Sequence, residues 1–356
     1  MLGWNELHGR ACVCRRDDLM SREIERSTTS LRALICGACG QDGAYLASYL
    51  IDKGYEVIGT SRDAATASRG GLRRLGIDKQ VRVVSMAPND FRSVLQTVSR
   101  VGPDEIYNLA GQTSVGLSFD QPVETIESIV VGVLNLLEAI RFVNRPIAFY
   151  NAGSSECFGD TGDCRATEGT PFRPRSPYAV AKACAHNLVV SYRDAYSMRA
   201  CTGILFNHES PLRPERFVTQ KVVRAACRIA AGSNETLTLG NLDIHRDWGW
   251  APEYVEVMWR MLQERDLSDF VIATGRSVSL QYFVERTFAC MKLDWREHVD
   301  HDESLLRPSD IRYGAADPSY AASRLGWKAK YDVDNVISEM CRAAIGTAGN
   351  FETVDT

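Results

Sequence analysis

The sequence predicts an α/β fold: a Rossmann-like, doubly wound parallel sheet with a smaller, discontinuous α/β substrate-binding lobe. Three observations predict it. Apolar runs of strand length alternate with helical patterns along most of the chain. The first run, Leu31-Arg-Ala-Leu-Ile-Cys36, enters a glycine turn that opens a helix. After Phe206 the composition becomes loop-rich and basic, which marks the start of a second lobe.

Gly37, Gly40 and Gly43 supply the turn, and Tyr45, Leu46, Tyr49 and Leu50 fall on one side of the helix that follows. Glycine is wanted where the backbone turns sharply and approaches a pyrophosphate, whose charge then sits at the helix N-terminus. The second strand, Tyr55-Glu-Val-Ile-Gly59, ends in Thr60-Ser61-Arg62. An acid at that tip binds a free ribose 2′-hydroxyl, whereas an arginine accommodates a 2′-phosphate. Ser61 and Arg62 therefore favour NADP over NAD, with Asp63 as the competing ribose acceptor.

Further strands are expected near Arg82-Val83-Val84, Glu105–Leu109, Ile147–Tyr150, Cys201–Phe206 and Phe270–Ala273. The fourth ends in Asn108-Leu109-Ala110-Gly111-Gln112-Thr-Ser114, small and polar where a chain passes a nicotinamide ribose. The helix from about Val123 to Phe142 carries Val130, Val133, Leu134, Leu137 and Ile140, which suit a partner subunit or the core equally. Residues 1–30 read as a disordered extension or an over-long start, with Met20 as an alternative initiator. The dinucleotide domain is expected over 31–206, with the strand near 270–273 returning to it. The substrate lobe takes most of 207–346, and 347–356 is a tail.

The chemistry centres on Ser154-Ser155-Glu156 and on Tyr178-Ala-Val-Ala-Lys182, 22 residues beyond Glu156. Ser176 as N-cap and Pro177 at the first position start a helix on which Tyr178 and Lys182 share a face. A nearby cation is expected to lower the phenol pKa, so that Tyr178 takes the proton of a sugar hydroxyl while Ser154 hydrogen-bonds the same hydroxyl. Alcohol oxidation has no use for Glu156. Removal of a proton beside a new ketone does, so Glu156 points to elimination. YxxxK also arises by chance, and a glutamate there can serve as a cap. In the second lobe Lys221, Arg246 and Arg307 bring cations to one cleft, where three suit a diphosphate and each alone can be a surface charge.

The chain has 356 residues, 45% hydrophobic and 24% charged, with a net charge of −4. That balance excludes a general nucleic-acid surface and leaves phosphate binding local. Eleven cysteines, an odd number scattered through predicted elements, read as reduced thiols rather than a disulfide scaffold. Cys36 and Cys39 flank the glycine turn, where a metal would block the pyrophosphate, and His298 and His301 lack a cysteine cluster, so no metal is expected. No apolar run is long enough to cross a bilayer and residues 1–30 hold no signal-peptide core, which predicts a cytoplasmic protein without membrane contact.

Several segments together resemble the extended short-chain dehydrogenase/reductase superfamily, and within it the GDP-mannose 4,6-dehydratases, from Leu31 to about Met340. They are Gly40-Gln-Asp-Gly-Ala-Tyr-Leu46, Ser155-Glu156-Cys-Phe-Gly159, Ser176-Pro-Tyr-Ala-Val-Ala-Lys182, Phe206-Asn-His-Glu-Ser-Pro211, Phe217-Val-Thr-Gln-Lys221 and Arg246-Asp-Trp-Gly249. The resemblance implies a hydro-lyase that turns GDP-mannose into GDP-4-keto-6-deoxymannose with NADP and no net redox change. Tyr178 is then the base for the C4 hydroxyl, Lys182 its supporting cation and ribose contact, both of them also against the cofactor, Ser154 stands where the family usually has Thr, and Glu156 takes the C5 proton. Gln41, Asp42 and His208 join the cofactor contacts, while Ser114, Asn207, Lys221, Arg246 and Arg307 hold the GDP-sugar. A homodimer or homotetramer is implied.

Three departures stand out. Met86-Ala-Pro-Asn-Asp90 replaces an adenine-binding aspartate, the loop after Arg62 is atypical, and Trp250-Ala-Pro-Glu253 replaces the usual continuation of the Arg-Asp-Trp-Gly segment. A changed wall suggests a larger GDP-sugar, such as a mannoheptose, as the alternative substrate. Epimerase and keto-sugar reductase readings share Ser154, Tyr178 and Lys182, and Glu156 argues against an epimerase. A cofactor-sensing module without catalysis would be expected to lose Tyr178 or Lys182.

Overall fold

The computed structural model describes residues 30–162 and 164–348. The expected N-terminal extension, with Met20, and residues 349–356 lie outside them.

The chain opens with β1 (Arg32–Cys36), α1 (Gln41–Asp52), β2 (Glu56–Ser61), α2 (Gly70–Arg74), β3 (Arg82–Ser85), α3 (Phe91–Val101) and β4 (Glu105–Asn108). α4 (Val115–Asp120), α5 (Pro122–Ile126) and α6 (Gly132–Val143) lead to β5 (Ala148–Ala152), and α7 (Pro177–Tyr196) leads to β6 (Ala200–Leu205). The remainder is β7 (Asn207–Glu209), α8 (Val218–Ala230), β8 (Leu237–Leu239), β9 (His245–Trp250), α9 (Ala251–Gln263), β10 (Phe270–Ile272), β11 (Ser277–Ser279), α10 (Leu280–Cys290), β12 (Val299–His301), α11 (Ser319–Leu325) and α12 (Val333–Ala348).

Seven strands form one sheet in the order β10-β6-β5-β4-β1-β2-β3, every neighbouring pair parallel. Parallel strands are covered on both faces, which is why β4, β5 and β6 are buried along their whole length. Leu46 and Leu50 of α1 and Tyr254, Met258 and Met261 of α9 fill one face. Val94 and Val98 of α3, Val133 and Leu137 of α6 and Ala181 and Ala185 of α7 fill the other. Each fully buried leucine contributes about 1.5–3 kcal/mol, so these stripes hold the helices where propensity alone would not. α3 also has sequence-coded ends: Asp90 caps it by accepting from the Arg92 N–H (2.9 Å), and Gly102 closes it in the left-handed conformation.

The second lobe holds a small sheet in the order β11-β9-β7 and the pair β8-β12. Its core gathers Val222, Val223, Trp248, Phe283, Phe288, Val336 and Met340. The lobe is discontinuous because β10 leaves it to pair with β6.

Two details differ from expectation. The run from Pro122 to Val143 is not one α-helix: residues Glu127–Val131 form a wider π turn, against which Gly111 packs and whose Ser128 hydroxyl accepts from the Gln112 N–H (3.2 Å). Of the stripe, Val133, Leu137 and Ile140 are buried in the core and Val130 and Leu134 are half-buried, while Val123 and Ile126, outside it, are exposed. Asp317-Pro318 reads as an N-cap and first helical residue, whereas α11 starts at Ser319, one residue later, although Asp317 still accepts from the Ser319 N–H (3.0 Å).

Register positions the site. Cys36 lies beside Asn108, Asn108 beside Asn151 and Asn151 beside Thr202, so β1, β4, β5 and β6 end on one edge. The glycine turn, the loop after Asn108, Ser154–Glu156 and Asn207 all emerge there, at the carboxyl ends of the strands where open α/β sheets bind ligands.

Candidate active site

A cavity of about 400 Å³ lies at that edge between the sheet and the second lobe. Ser154, Glu156, Tyr178 and Lys182 line it, as do Asp42, Leu109, Ser114, Asn207, His208, Lys221, Arg246 and Arg307. Gly37, Gly40, Gln41, Gly43, Ser61, Arg62, Ala110 and Gln112 are not in its lining; most follow the ends of β1, β2 and β4.

Ser176 caps α7 by accepting from the Ala179 N–H (3.1 Å), with Pro177 at the first position. This start places Tyr178 and Lys182 on the inward face, both buried. Lys182 Nζ donates to the Ala152 carbonyl at 2.7 Å, which ties α7 to the end of β5. Its ammonium is 5.9 Å from the Tyr178 ring centroid, and burial pulls its pKa down to about 8. Burial pushes the Tyr178 phenol well up, against the pull of a hydrogen bond with Ser154. Desolvation outweighs Ser154 and Arg213, the two groups that draw the phenol down.

Ser154 accepts from the Glu156 N–H (3.3 Å) and starts a short 3₁₀ turn, Ser155–Phe158, that turns Glu156 into the cavity. Burial raises the Glu156 carboxyl above its ordinary value, while Arg246 and Arg307 draw it back and Asp310 raises it further. Arg246 Nε stands 3.9 Å from Glu156 Oε1, and Arg246 Nη1 donates to the carbonyls of His245 (2.9 Å) and Ile311 (2.8 Å). Lys221 reaches the Thr238 carbonyl at 2.8 Å.

The glycine turn fits a pyrophosphate. Gly37 has φ +85°, and a Cβ on Gly43 would meet the Gly37 carbonyl oxygen at 2.3 Å, so backbone fills the space a side chain would need. No side chain caps α1, which leaves its first turn open to an anion. Asp42 and His208 join the lobes: His208 Nε2 faces Asp42 Oδ2 at 2.9 Å and Nδ1 faces the Phe206 carbonyl at 2.7 Å. Gln41 donates to the His208 carbonyl (3.2 Å) and accepts from Ser210 (2.8 Å), so its amide serves that junction. The Gln112 amide is likewise spent on the Ser114 backbone, donating to its carbonyl at 2.7 Å.

At the tip of β2, Arg62 is 83% exposed and lies 3.7 Å from Glu124. Asp63 uses one oxygen on the Ala65 N–H (2.9 Å) and the other on the Thr66 hydroxyl (3.0 Å). Its carboxylate is committed to its own loop.

The departure at Trp250–Glu253 lies outside the cavity lining. Trp250 stacks on Tyr331 (5.7 Å), and Glu253 accepts from the backbone of Lys330 (3.1 Å) and Tyr331 (3.1 Å). Trp248, two residues earlier, does line it. Sequence reasoning assigned no role to Arg213, which lines the cavity and is held by Glu209 (2.8 Å), or to Asp310, which stands between Arg246 and Arg307. Asp310 was visible in Leu306-Arg-Pro-Ser-Asp310, but an acid beside cations reads as an ordinary surface pair until burial is known.

A model of the GDP-mannose 4,6 dehydratase family matches residues 34–340. The chain belongs to that family. It is 42% identical over 318 residues to GDP-mannose 4,6 dehydratase 1 of Arabidopsis thaliana, an alignment that spans 86% of this chain and 88% of the relative. Among solved structures, the dTDP-glucose 4,6-dehydratase of Streptomyces venezuelae with NAD and TYD bound superposes with a TM-score of 0.81 at 19% identity, over 90% of this chain and 99% of that one. RMD from Pseudomonas aeruginosa, complexed with NADPH, gives 0.72 at 20% identity over 89% and 98%. At such identities these two structures speak for the fold alone.

Proposed function

We propose that this member of the family is an NADP-dependent hydro-lyase that converts GDP-mannose to GDP-4-keto-6-deoxymannose. The observation that carries the reading is Glu156, a buried carboxylate in the same cavity as Ser154, Tyr178 and Lys182 and flanked by Arg246. When bound, NADP supplies the acceptor and later the donor of the hydride that passes from sugar C4 to C6, so the reaction has no net redox change. Tyr178 takes the C4 hydroxyl proton, with Ser154 hydrogen-bonded to the same oxygen. Lys182 stays on the Ala152 carbonyl and sets the position of the α7 start. The C4 ketone acidifies C5, and Glu156 takes that proton. Raised proton affinity suits it to this step and to returning the proton to the C6 hydroxyl, which leaves as water; a solvent proton then reaches C5 as the hydride reaches C6, and Tyr178 releases the C4 proton to solvent, which closes the balance. Lys221, Arg246, Arg307 and Asn207 hold the GDP part.

NADP is favoured over NAD because Asp63 is engaged by its own loop while Ser61 and Arg62 stand at the strand tip. Exposed Leu117, Val123, Ile126 and Val180 on the adjoining helices α4, α5 and α7 support a homo-oligomer. Buried unpaired thiols such as Cys36 and Cys201 suit a reducing compartment, and the cytoplasm is the proposed location. Among the described residues no helix is long and apolar enough to cross a membrane. The test is incubation of the purified protein with GDP-mannose and catalytic NADP: the expected product has lost one water, and an unchanged mass with cofactor bound would refute the substrate.

A further inference from the structure

We propose that Asp310 is a positioning residue for this reaction, holding Arg246 and Arg307 away from a close ion pair with Glu156. The inference rests on the reading of the cavity as a GDP-sugar site.

Glu156, Arg246 and Arg307 line the cavity, and Asp310 stands beside the two arginines. Arg246 is buried, and Nη1 is fixed by the carbonyls of His245 and Ile311. Its remaining edge has a carboxylate on either side: Asp310 Oδ1 at 3.6 Å from Nη2 and Glu156 Oε1 at 3.9 Å from Nε. Arg307 Nη1 stands 3.7 Å from the same oxygen of Asp310. None of these contacts closes to a hydrogen bond, and Asp310 Oδ1 is a buried atom without a hydrogen-bond partner. Two guanidiniums held by one carboxylate at this spacing keep N–H groups in reserve, and both line the cavity.

Charge balance explains why a second acid is needed. With Arg246 and Arg307 alone, Glu156 would be the nearest anion to two cations and would be held as their counterion, a poor base. Asp310 offsets one of those charges at a similar distance. When a diphosphate binds, it takes the reserved N–H groups, and Glu156 is left with its greatest proton affinity while the substrate is present. The other groups acting here are Asp160, which bears on Arg246, and Tyr178 and Cys157, on which the Glu156 charge bears in turn.

The experiment compares the wild type with Asp310→Asn, Asp310→Glu and Arg307→Gln, reading kcat against pH and GDP binding by calorimetry on the NADP-loaded protein. Asp310→Asn removes a negative charge, so the acid limb of kcat is expected to move down by about half a pH unit or more, with GDP affinity within about threefold of wild type. Asp310→Glu restores the limb. Arg307→Gln removes a positive charge and moves the limb up. An unmoved limb in a folded Asp310→Asn, with or without weaker GDP binding, overturns the proposal and leaves Asp310 a structural support. If Asp310→Asn does not fold, Arg307→Gln decides: an upward shift supports the proposal and an unmoved limb overturns it. A wild type that does not bind GDP overturns the functional reading and this inference together, whereas wild-type binding with unmoved limbs overturns the inference alone.

Discussion

Replacing Glu156 with glutamine separates the elimination from every other duty of the cavity. The amide keeps the volume and removes one charge. Its structural cost is small, because Arg246 keeps two carbonyl acceptors at 2.9 and 2.8 Å and Asp310 at 3.6 Å, and the lost ion pair was no closer than 3.9 Å. Breaking a tight buried pair costs about 3–5 kcal/mol, and an open pair like this one is nearer to about 1 kcal/mol. The chemical cost is larger: a positioned general base contributes about 10²–10⁴ in rate, or roughly 3–5 kcal/mol of barrier. Glu156→Gln should therefore bind NADP and GDP as the wild type does while product formation falls by at least about a hundredfold. Mass analysis of the nucleotide sugar in deuterated water reads both steps, since C5 exchange and loss of water should vanish together. Product formation within about tenfold of wild type would refute the assignment of Glu156 as the base.

Three further expectations follow from local geometry. Gly43→Ala would put a methyl carbon 2.3 Å from the Gly37 oxygen and 2.6 Å from Ala38 Cα, forcing backbone to move at a cost of about 1–3 kcal/mol; dinucleotide binding, read by calorimetry, should weaken at least tenfold. Arg62→Ala should reduce NADP affinity by about 1.5–3 kcal/mol and leave NAD nearly unchanged, which direct titration with both checks. Lys182 is pulled down to about 8 from 10.5, so the unfolded chain holds its proton across that interval and the native one does not. Stability relative to Lys182→Met should then rise with pH between these values by up to about 3 kcal/mol, read from urea unfolding at several pH values.

The fold was legible because its signals are local. Strand runs, the glycine turn and the Ser176-Pro177 start each specify their own backbone, and parallel pairing follows once helices separate the strands. The π turn at Glu127–Val131 was not legible, since it depends on Gly111 and Ser128 meeting across the chain. The placement of Tyr178 and Lys182 on one helix face was readable because it follows from spacing alone. Their electrostatics were not. Whether Lys182 lowers the phenol depends on where Nζ lands and how much water the pocket keeps, and the ammonium lands on Ala152. Asp310 was missed for a related reason, because it acquires meaning only when 64 residues separate it from Arg246 in sequence and 3.6 Å in space.

The same argument bears on how the lobes work as one unit. β7 follows β6 after a single residue, Phe206, so the second lobe cannot move far from the catalytic edge without pulling on the sheet. Gln41 and Asp42, in the first turn of α1, are bonded to His208 and Ser210 at the start of that lobe. Burial would push the Asp42 carboxyl up, but His208 and Arg213 hold it below its ordinary range, so the junction carries real charge rather than a neutral contact. The start of α1, after the glycine turn, is thus fastened to the segment that carries Asn207 and leads to Lys221. On the proposed function, one set of bonds couples the cofactor end of the cavity to its substrate end.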